Sequence, residues 1–421
     1  MSERELKIKL SKKAHKQYSD ACKLESVRLA TKAKELIFDY TQRTLNCTKS
    51  RVSSKQQIPE LLPHRPLTVG EMFSGPGGIG IALNETKSAH YSFIHAWATD
   101  YDADTSRTYK ENVLKNFPDA TFYLKDIRKL DIDKLSAVDG FLFGFPCNDF
   151  SIVGKSKGLN GKYGGLYTYG VQYIERVNPL FFFAENVSGL SSANEGKAFQ
   201  SILNELNHAG KYGYTITAHL FKFEDYGIPQ TRHRYILVGI RGDLKKKYEV
   251  PKPTGKLKTC KEALKNIPVS AANQEPTRQC ERVQKRLSYI KEGENVWQAE
   301  HRMPPELRLK VTGARLSQIY RRLDSKKPAY TITGSGGGGT HVYHWIENRA
   351  LTNRERARLQ TFPDDFSFCG SKESVRKQIG MAIPCDGAKI ILEALLKTLE
   401  GKKYSCINPS VGFFPANTYS S

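Results

Sequence analysis

The 421-residue sequence lacks three patterns that would each assign it to a broad class of protein. It has no apolar run near the roughly 18 residues that a membrane helix requires. Its amino terminus, MSERELKIKLSKKAHK, is charged and contains no apolar core of a secretory signal. Its eight cysteines include no CxxC pair, so a zinc site of that kind is not expected. These absences predict an intracellular, cytoplasmic protein with reduced thiols and no membrane partner.

A phosphate-binding loop of the Walker type is also missing. The segment VGKS at 153–156 resembles the end of such a loop, but Asp149 stands where the loop needs its first glycine. The pattern therefore argues against a P-loop nucleotide site.

Positive charge is abundant, and it is unevenly distributed. The chain carries 65 Lys and Arg against 43 Asp and Glu, a net charge of +22. Residues 1–65 hold 15 basic and 7 acidic groups, and residues 243–328 hold 21 and 10. Basic segments beside a neutral body favour a polyanionic partner, because lysines and arginines release counterions from phosphates. Ordinary solvated lysines remain the alternative.

From residue 67 onward, strand-like segments alternate with helix-like ones. The expected strands lie at 67–73, 93–100, 120–127, 138–146 and 179–187, and another follows a loop in YGIPQTRHRYILVGIR. This alternation predicts an α/β fold with a doubly wound parallel sheet. We also expect a strand pair around the glycine loop at 328–345, a short helix ending at Pro363, and a loop followed by a long helix within 373–399.

Side chains suited to chemistry follow several of these strands. The glycine turn FSGPGG, at 73–78, leads from the first strand into a helix, and Asp100 and Asp126 end the next two strands. Since carboxyl ends of parallel strands meet at one edge, these residues predict a nucleoside site. Cys147, Glu185 and the arginines of QTRHR fall at the same edge. A Cys147 thiolate there would be a nucleophile, and Glu185 would be a proton donor. The alternatives without catalysis are an inert packed cysteine, a structural strand-end acid, and arginines in surface ion pairs.

The ordered motifs FSGPGG, GFPCNDFS, AENV, QTRHR, RALTNRERARLQTFP and QIGMAIP closely resemble those of the DNA cytosine-5 methyltransferases, over residues 67–400. Members from bacterial restriction–modification systems look most similar. The resemblance implies a Rossmann-like fold that binds S-adenosyl-L-methionine, with an inserted target-recognition domain. The implied division is a basic helical extension and linker at 1–65, a catalytic domain at 66–242, target recognition at 243–346, a return at 347–400 and a tail at 401–421.

The same resemblance implies roles for individual residues. Cys147 would attack C6 of a flipped-out cytosine, Glu185 would protonate N3, and Asn186 would help to position it. Arg232 would contact the O2 edge, while Gln230 and Arg234 would order the loop. The implied cofactor residues are Phe73, Gly75, Pro76, Gly78, Asp100, Tyr101, Asp126, Ile127, Pro146, Leu166, Gly380 and Ala382. One departure is Met381, which stands where the family usually has asparagine.

DNA contacts are expected in two regions. The loop after Cys147 is rich in glycine and lysine and could close over the flipped strand. The residues in question are Ser151, Lys155, Lys157 and Lys162 in that loop, and Arg315, Arg321, Arg322, Thr333, Gly336, Gly337 and Gly338 in the recognition region. The glycines would permit close approach to the major groove.

The partners implied by the resemblance are double-stranded DNA and a cognate restriction endonuclease, with the enzyme itself a monomer. Two alternatives stay open. The substrate could be tRNA, as for some relatives of this family, or the chain could be a DNA-binding regulator in which residues 1–65 act as a repressor arm.

Overall fold

The computed structural model describes residues 66–145, 165–189, 197–310 and 316–416. The expected helical arm within 1–65 lies outside these ranges. No helix in the described ranges is both long enough and apolar enough to span a membrane.

An eight-stranded sheet forms the centre of the structure. The strands along the chain are β1 Leu67–Met72, β2 Phe93–Asp100, β3 Thr121–Leu124, β4 Gly140–Phe143, β5 Phe181–Val187, β6 Tyr214–Lys222, β7 Gln230–Thr231, β8 His233–Arg241, β9 Val250–Pro251, β10 Ala329–Tyr330, β11 Cys406–Ile407 and β12 Gly412–Phe414. The order across the main sheet is β12-β6-β8-β5-β4-β1-β2-β3. The five strands from β5 to β3 are parallel, and β8, β6 and β12 pair antiparallel beyond β5.

Helices surround this sheet. Their bounds are α1 Gly78–Glu85, α2 Ala103–Asn112, α3 Tyr167–Val177, α4 Lys197–His208, α5 Cys260–Ala263, α6 Glu281–Ser288, α7 Val296–Ala299, α8 Asn353–Leu359, α9 Lys372–Met381 and α10 Cys385–Leu399. One apolar cluster joins α1 and α10 to the sheet, and a second joins α3 and α4 to it. The expected doubly wound α/β fold, with helices on both faces of the sheet, is confirmed, but the sheet is mixed rather than parallel throughout because β8, β6 and β12 are antiparallel.

The buried strands follow from their composition. β4 is the apolar run GFLF and β5 begins with three phenylalanines, and all of these residues are buried. Strands covered by helices on both faces are apolar throughout, rather than alternating with polar residues. Gly140 is needed in β4 because an added methyl group would overlap the ring of Phe181 on β5.

Two further clusters lie beyond the sheet. One combines α2, α8 and α9 with Ala329 and Ile332, and the other gathers apolar residues between Leu287 and Ala350. The predicted boundaries of a recognition domain at 243–346 stay a prediction.

The structure departs from the sequence-based expectations in four places. In 328–345, only Ala329–Tyr330 forms a strand, because three successive glycines at 337–339 adopt positive φ. The expected loop before the long helix is helix α9, capped by the Ser371 side chain. Strand β6 was missed altogether. The C-terminal residues 406–407 and 412–414 pair with β9 and β6.

Candidate active site

The five parallel strands bring the predicted residues to one edge of the sheet. Asp100 is the last residue of β2, paired with Leu124 at the end of β3. Glu185 lies near the end of β5, and β8 begins at the same edge because Val187 pairs with Arg234. The described residues of the two expected groups, nucleoside-binding and catalytic, therefore share the carboxyl edge.

The glycine turn after β1 has the backbone conformation that its sequence requires. Phe73, Gly75 and Gly77 have φ values of 58°, 56° and 104°. A methyl group added at Gly75 would meet no atom within 4 Å, so this position borders open space. The Gly75 N–H donates to Asp100 Oδ2 at 3.0 Å. The turn thus leaves backbone accessible at the start of α1 and is tied to the acid on the neighbouring strand.

Asp100 is held on both carboxylate oxygens. Its Oδ1 accepts the N–H of Asp102 at 3.0 Å, opposite the bond from Gly75. Burial raises the pKa of Asp100, partly offset by these backbone bonds. The following residue, Tyr101, is 73% exposed. A fixed acid followed by an exposed ring fits a ribose hydroxyl and an adenine face.

Asp126 has a different environment from the one expected. It caps the short turn after β3, where its carboxylate accepts the Arg128 N–H at 3.0 Å and forms an ion pair with the Arg128 guanidinium. These bonds lower the pKa of Asp126 to about 2. Ile127 beside it is buried. If Asp126 accepts a hydrogen bond from an adenine amino group, its carboxylate would bind that group and Arg128 at the same time.

The segment after α9 packs directly against the glycine turn. A methyl group added at Gly78 would overlap the backbone oxygen of Ile383, and it would lie 3.5 Å from Ala382 Cβ. Residues about 300 positions apart in sequence therefore form adjoining walls. Met381 is 57% exposed. The predicted pairing of the first and last motifs in one site is consistent with this contact.

Other expected cofactor residues are buried supports in this region. Pro76 is buried within the turn, Phe73 packs against the apolar cluster of α3 and α4, and Leu166 belongs to that cluster. Gly380 contributes through its backbone, since its carbonyl oxygen accepts a hydrogen bond from the Arg232 guanidinium.

Glu185 and Arg234 form the ionic pair of the site. Arg234 Nε lies 2.8 Å from Glu185 Oε1, and the two side chains are 13% and 16% exposed. A methyl group added at Gly144, just after β4, would lie 3.5 Å from Glu185 Oε2. The carboxylate therefore faces the segment that leads from β4 towards Cys147.

Asn186 links the ends of the same two strands. Its Nδ2 donates to the Phe145 carbonyl at 3.2 Å, and its Oδ1 accepts the Val187 N–H at 2.8 Å. The side chain is 1% exposed. Asn186 thus anchors the backbone two residues before Cys147.

Arg232 is a buried backbone ligand. Its guanidinium donates to the carbonyls of Ile332 and Gly380 at 3.1 Å, and to Met381 at 3.4 Å. It is 1% exposed. The expected O2 contact from Arg232 does not fit this placement, because the guanidinium is engaged with main-chain oxygens while Arg234 reaches Glu185.

Gln230 belongs to a buried amide network. Its Nε2 donates to the Leu359 carbonyl at 2.6 Å and to Gln360 Oε1 at 2.7 Å, and its Oε1 accepts the Ile332 N–H. Gln360 donates onward to the carbonyls of Ile379 and Ala382. Gln230 therefore ties β7 to α8 and α9, and its expected role in ordering the loop stays a prediction. Sequence reasoning missed Gln360, since a glutamine inside a motif carries no distinctive signal.

A second omission is a buried acid under the glycine turn. Tyr109 donates to Glu71 Oε2 at 2.6 Å, and burial raises the pKa of Glu71 to about 8. Gly80 lies beside the same tyrosine, since an added methyl group would come 2.9 Å from its hydroxyl. Gly80 could have been predicted from the sequence, because GPGGIG at 75–80 matches the GxGxxG pattern of a nucleotide-binding turn.

The expected DNA contacts divide into three groups. Thr333, Gly337 and Gly338 are exposed, Gly336 is half-buried, and Arg321 lies over the Tyr330 ring at 4.9 Å. Arg322 is 2% exposed and donates to backbone carbonyls, so it is a structural residue and is not available to DNA. Several predicted residues lie outside the described ranges: Pro146, Cys147, Ser151, Lys155, Lys157, Lys162 and Arg315.

Comparison with protein families settles the class. The model for C-5 cytosine-specific DNA methylases matches residues 67–397. The chain belongs to this family. The methyl donor of this methylase is S-adenosyl-L-methionine, and the open glycine turn with its fixed acid and exposed tyrosine fits that donor.

Individual relatives agree with the assignment. The chain is 55% identical to the Type II methyltransferase M.BbvI of Brevibacillus brevis, over 82% of this chain and 94% of that protein. It is 34% identical to M.NgoFVII of Neisseria gonorrhoeae, over 82% and 89%. Among solved structures, a putative DNA modification methyltransferase of an Escherichia coli prophage has a TM-score of 0.61 at 23% identity, covering 79% of this chain and 99% of that one. That likeness supports the fold.

Proposed function

We propose that this methylase modifies C5 of one cytosine within a specific duplex DNA sequence, and that Cys147 is its nucleophile. The observation that carries the proposal is the arrangement at the end of β5. There Glu185 pairs with Arg234 at 2.8 Å, while Asn186 holds the carbonyl of Phe145. A carboxyl group, a guanidinium and the anchored start of a cysteine segment form the set that pyrimidine activation needs.

The proposed chemistry begins with the base outside the helix, since an intrahelical cytosine cannot reach an enzyme site. The Cys147 thiolate forms a bond to C6, and the C5–C6 electron pair moves into the ring. Glu185, which takes up a proton from solvent before the base binds, gives it to N3 and so neutralises the charge that develops there, and Arg234 then pairs with the carboxylate that remains. S-adenosyl-L-methionine supplies the electrophilic methyl group that C5 then takes. Water takes the C5 proton, the thiolate leaves C6, and N3 returns its proton to Glu185, which restores the aromatic ring.

Arg234 is the proposed partner of the O2 edge, in place of Arg232. Its guanidinium lies with Glu185 at the strand edge, and five N–H donors let it serve the carboxylate and a carbonyl oxygen together. Preorganised donors of this kind stabilise charge in the transition state. Arg232 instead holds the 380–381 backbone through its carbonyl bonds.

The donor is proposed to sit between the glycine turn and the Ala382 segment. Asp100 would accept ribose hydroxyls, Tyr101 would cover the adenine, and Ile127 would line the pocket. Asp126 would contact the adenine amino group while it retains Arg128. The half-buried Gly380 and the buried Ala382 would face the methionine end, with Met381 exposed where an asparagine is usual.

The biological setting proposed is bacterial restriction–modification. Its support is that two relatives, 55% and 34% identical to this chain, are Type II methyltransferases. Methylation would then protect host DNA from a cognate nuclease, and the enzyme would act as a monomer on each strand in turn.

Bisulfite sequencing tests the proposal. The full chain is expressed in a bacterial host that lacks cytosine-5 methyltransferases, and Cys147→Ser is expressed in parallel. We expect protected cytosines at one recurring sequence with the wild type and none with the variant. Unmodified genomic DNA, combined with methyl transfer to purified tRNA, would overturn the choice of DNA as substrate.

A further inference from the structure

A pair of arginines lies directly beneath the glycine loop, defined here as residues 334–339. A methyl group added at Gly336 would overlap the Arg376 guanidinium, so that loop backbone rests on the side chain. Arg376 Nε donates to the Gly334 carbonyl at 3.3 Å. Arg356 on α8 reaches the residue just before this loop, with its Nη1 3.5 Å from the Thr333 carbonyl oxygen.

The positive charge of Arg356 is only weakly compensated by the hydrogen-bond acceptors and acids near it. It is 1% exposed, and its described hydrogen bonds, to Thr333 O and to His341 Nδ1, are both 3.5 Å long. Burial lowers the pKa of Arg356 to about 10. Its sequence neighbour Glu355 is occupied by Arg349, at 2.7 and 2.8 Å. A buried guanidinium normally has an acid or several carbonyls around it.

Arg376 is only slightly better paired. Its nearest carboxylate among the described residues is Glu373, with Oε1 at 3.8 Å and a side chain that is 77% exposed. The Arg376 side chain itself is 11% exposed. An exposed acid at that distance offsets little of the charge. Two positive groups therefore lie close together under one loop, with no matched anion among the residues that the structure describes.

Arg354, on the same helix as Arg356, is a buried structural arginine whose guanidinium N–H groups have backbone acceptors. Its guanidinium donates to the carbonyls of Ala272 and Pro363 at 2.9 Å, and also to that of Phe366. Arg232 and Arg322 are surrounded by carbonyls in the same way. Arg356 and Arg376 differ from all three in having long bonds and in facing a loop rather than packed backbone.

The loop itself is open to a ligand. Gly337 and Gly338 are exposed, and a methyl group added at either would meet nothing within 4 Å. Their φ values of 101° and 55° favour glycine, so the backbone is uncovered where a ligand would approach. Exposed backbone above two guanidiniums is suited to an anion of phosphate size.

We propose that the Arg356–Arg376 pair holds one backbone phosphate of the DNA substrate against the glycine loop. Arg376 contacts the phosphate, and Arg356 adds its charge from behind while it supports Thr333. The contact fixes the position of the duplex rather than its sequence, since phosphates carry no base identity. This assignment rests on the proposed function, because it requires that duplex DNA is the substrate.

The test is the salt dependence of DNA binding, measured by fluorescence anisotropy. The probe is a labelled duplex fragment that the wild-type protein methylates. Each phosphate contact contributes about 0.9 to the slope of log affinity against log salt. We expect Arg376→Gln to reduce the slope by about one and to weaken binding about tenfold or more at low salt. Arg376→Lys should restore most of the slope.

Two further variants complete the test. Lys372→Gln removes one charge from the same helix, where Lys372 Nζ is bound to the Pro276 carbonyl, and it should leave the slope unchanged. Gly336→Ala should weaken binding with no change in net charge, because the added methyl group displaces the guanidinium. A folded Arg376→Gln protein with the wild-type slope, or Gly336→Ala with wild-type affinity, would overturn the inference. Failure of the wild type itself to bind duplex DNA would instead refute the proposed function.

Discussion

Replacing either arginine of QTRHR with lysine should have a different effect: Arg232→Lys should lower stability, whereas Arg234→Lys should lower catalytic activity. Replacing Arg232 with lysine removes a guanidinium that serves three backbone carbonyls, those of Ile332, Gly380 and Met381. One ammonium on a different stem replaces at most one of these bonds. Each buried carbonyl left without a donor costs about 1–3 kcal/mol. We therefore expect Arg232→Lys to lose about 2–4 kcal/mol of unfolding free energy.

Arg234→Lys should have the opposite profile. The ammonium keeps a positive charge beside Glu185, so the unfolding free energy should change by less than about 1 kcal/mol. It cannot donate to the carboxylate and to the base in the geometry of the planar fork. Loss of one preorganised donor in a transition state typically lowers kcat about 100-fold or more. We expect a loss of that order.

The assay combines thermal unfolding with transfer of a labelled methyl group to DNA, at a temperature well below both transitions. At about 2 °C per kcal/mol, suited to a large domain, Arg232→Lys should lower Tm by about 4–8 °C while folded molecules keep most of their kcat. A stable but inactive Arg232→Lys, together with a fully active Arg234→Lys, would refute the assigned roles.

Two other predictions concern the floor of the cofactor region. Gly78→Ala should weaken S-adenosyl-L-methionine binding about tenfold or more in calorimetry, because the new methyl group overlaps the Ile383 backbone oxygen and separates the two walls of the site; wild-type affinity would contradict that contact. In the folded protein the pKa of Glu71 is raised to about 8, above its usual value near 4.5. Between these two pH values the unfolded state binds fewer protons than the folded state. The free energy of unfolding should therefore fall as pH rises through this range, by up to about 1.4 kcal/mol per pH unit. Glu71→Gln, which keeps an acceptor for Tyr109, should remove that contribution in denaturant titrations at several pH values, and an unchanged pH profile would show that Glu71 does not titrate there.

Much of the fold could be predicted from local sequence. The strand FIHAWATD was placed at 93–100, its observed bounds, and the runs in β4 and β5 were recognised because strands buried on both faces are apolar throughout. Strand β6 was missed although YTITAHL alternates apolar and polar residues, which is a strand signal, because the other strands had been identified mainly by continuous apolar runs. The C-terminal strands were missed because two- and three-residue pairings depend on tertiary partners rather than on propensity.

The site was predictable in its composition but not in its contacts. Strand ends identified Asp100 and Glu185, since topology alone brings them to one edge. The environments of Arg232 and Arg234 could not be read from the motif, because Arg232 lies between β7 and β8 whereas Arg234 lies within β8. The partners of Arg232 are the carbonyls of Ile332, Gly380 and Met381, which only tertiary packing brings to it, and Arg234 instead meets Glu185 of the adjacent strand β5. The unmatched Arg356 likewise has no signal within its helix.

The central claim is covalent attack by Cys147 on an everted cytosine. A duplex carrying 5-fluorocytosine at the methylated position tests it, because fluorine cannot leave C5 as a proton does and the bound base cannot be released. With S-adenosyl-L-methionine present, the account predicts a denaturation-resistant adduct whose mass maps to Cys147, and none with Cys147→Ser. A wild-type enzyme that methylates ordinary DNA but never forms this adduct, or forms it through another residue, would contradict the account.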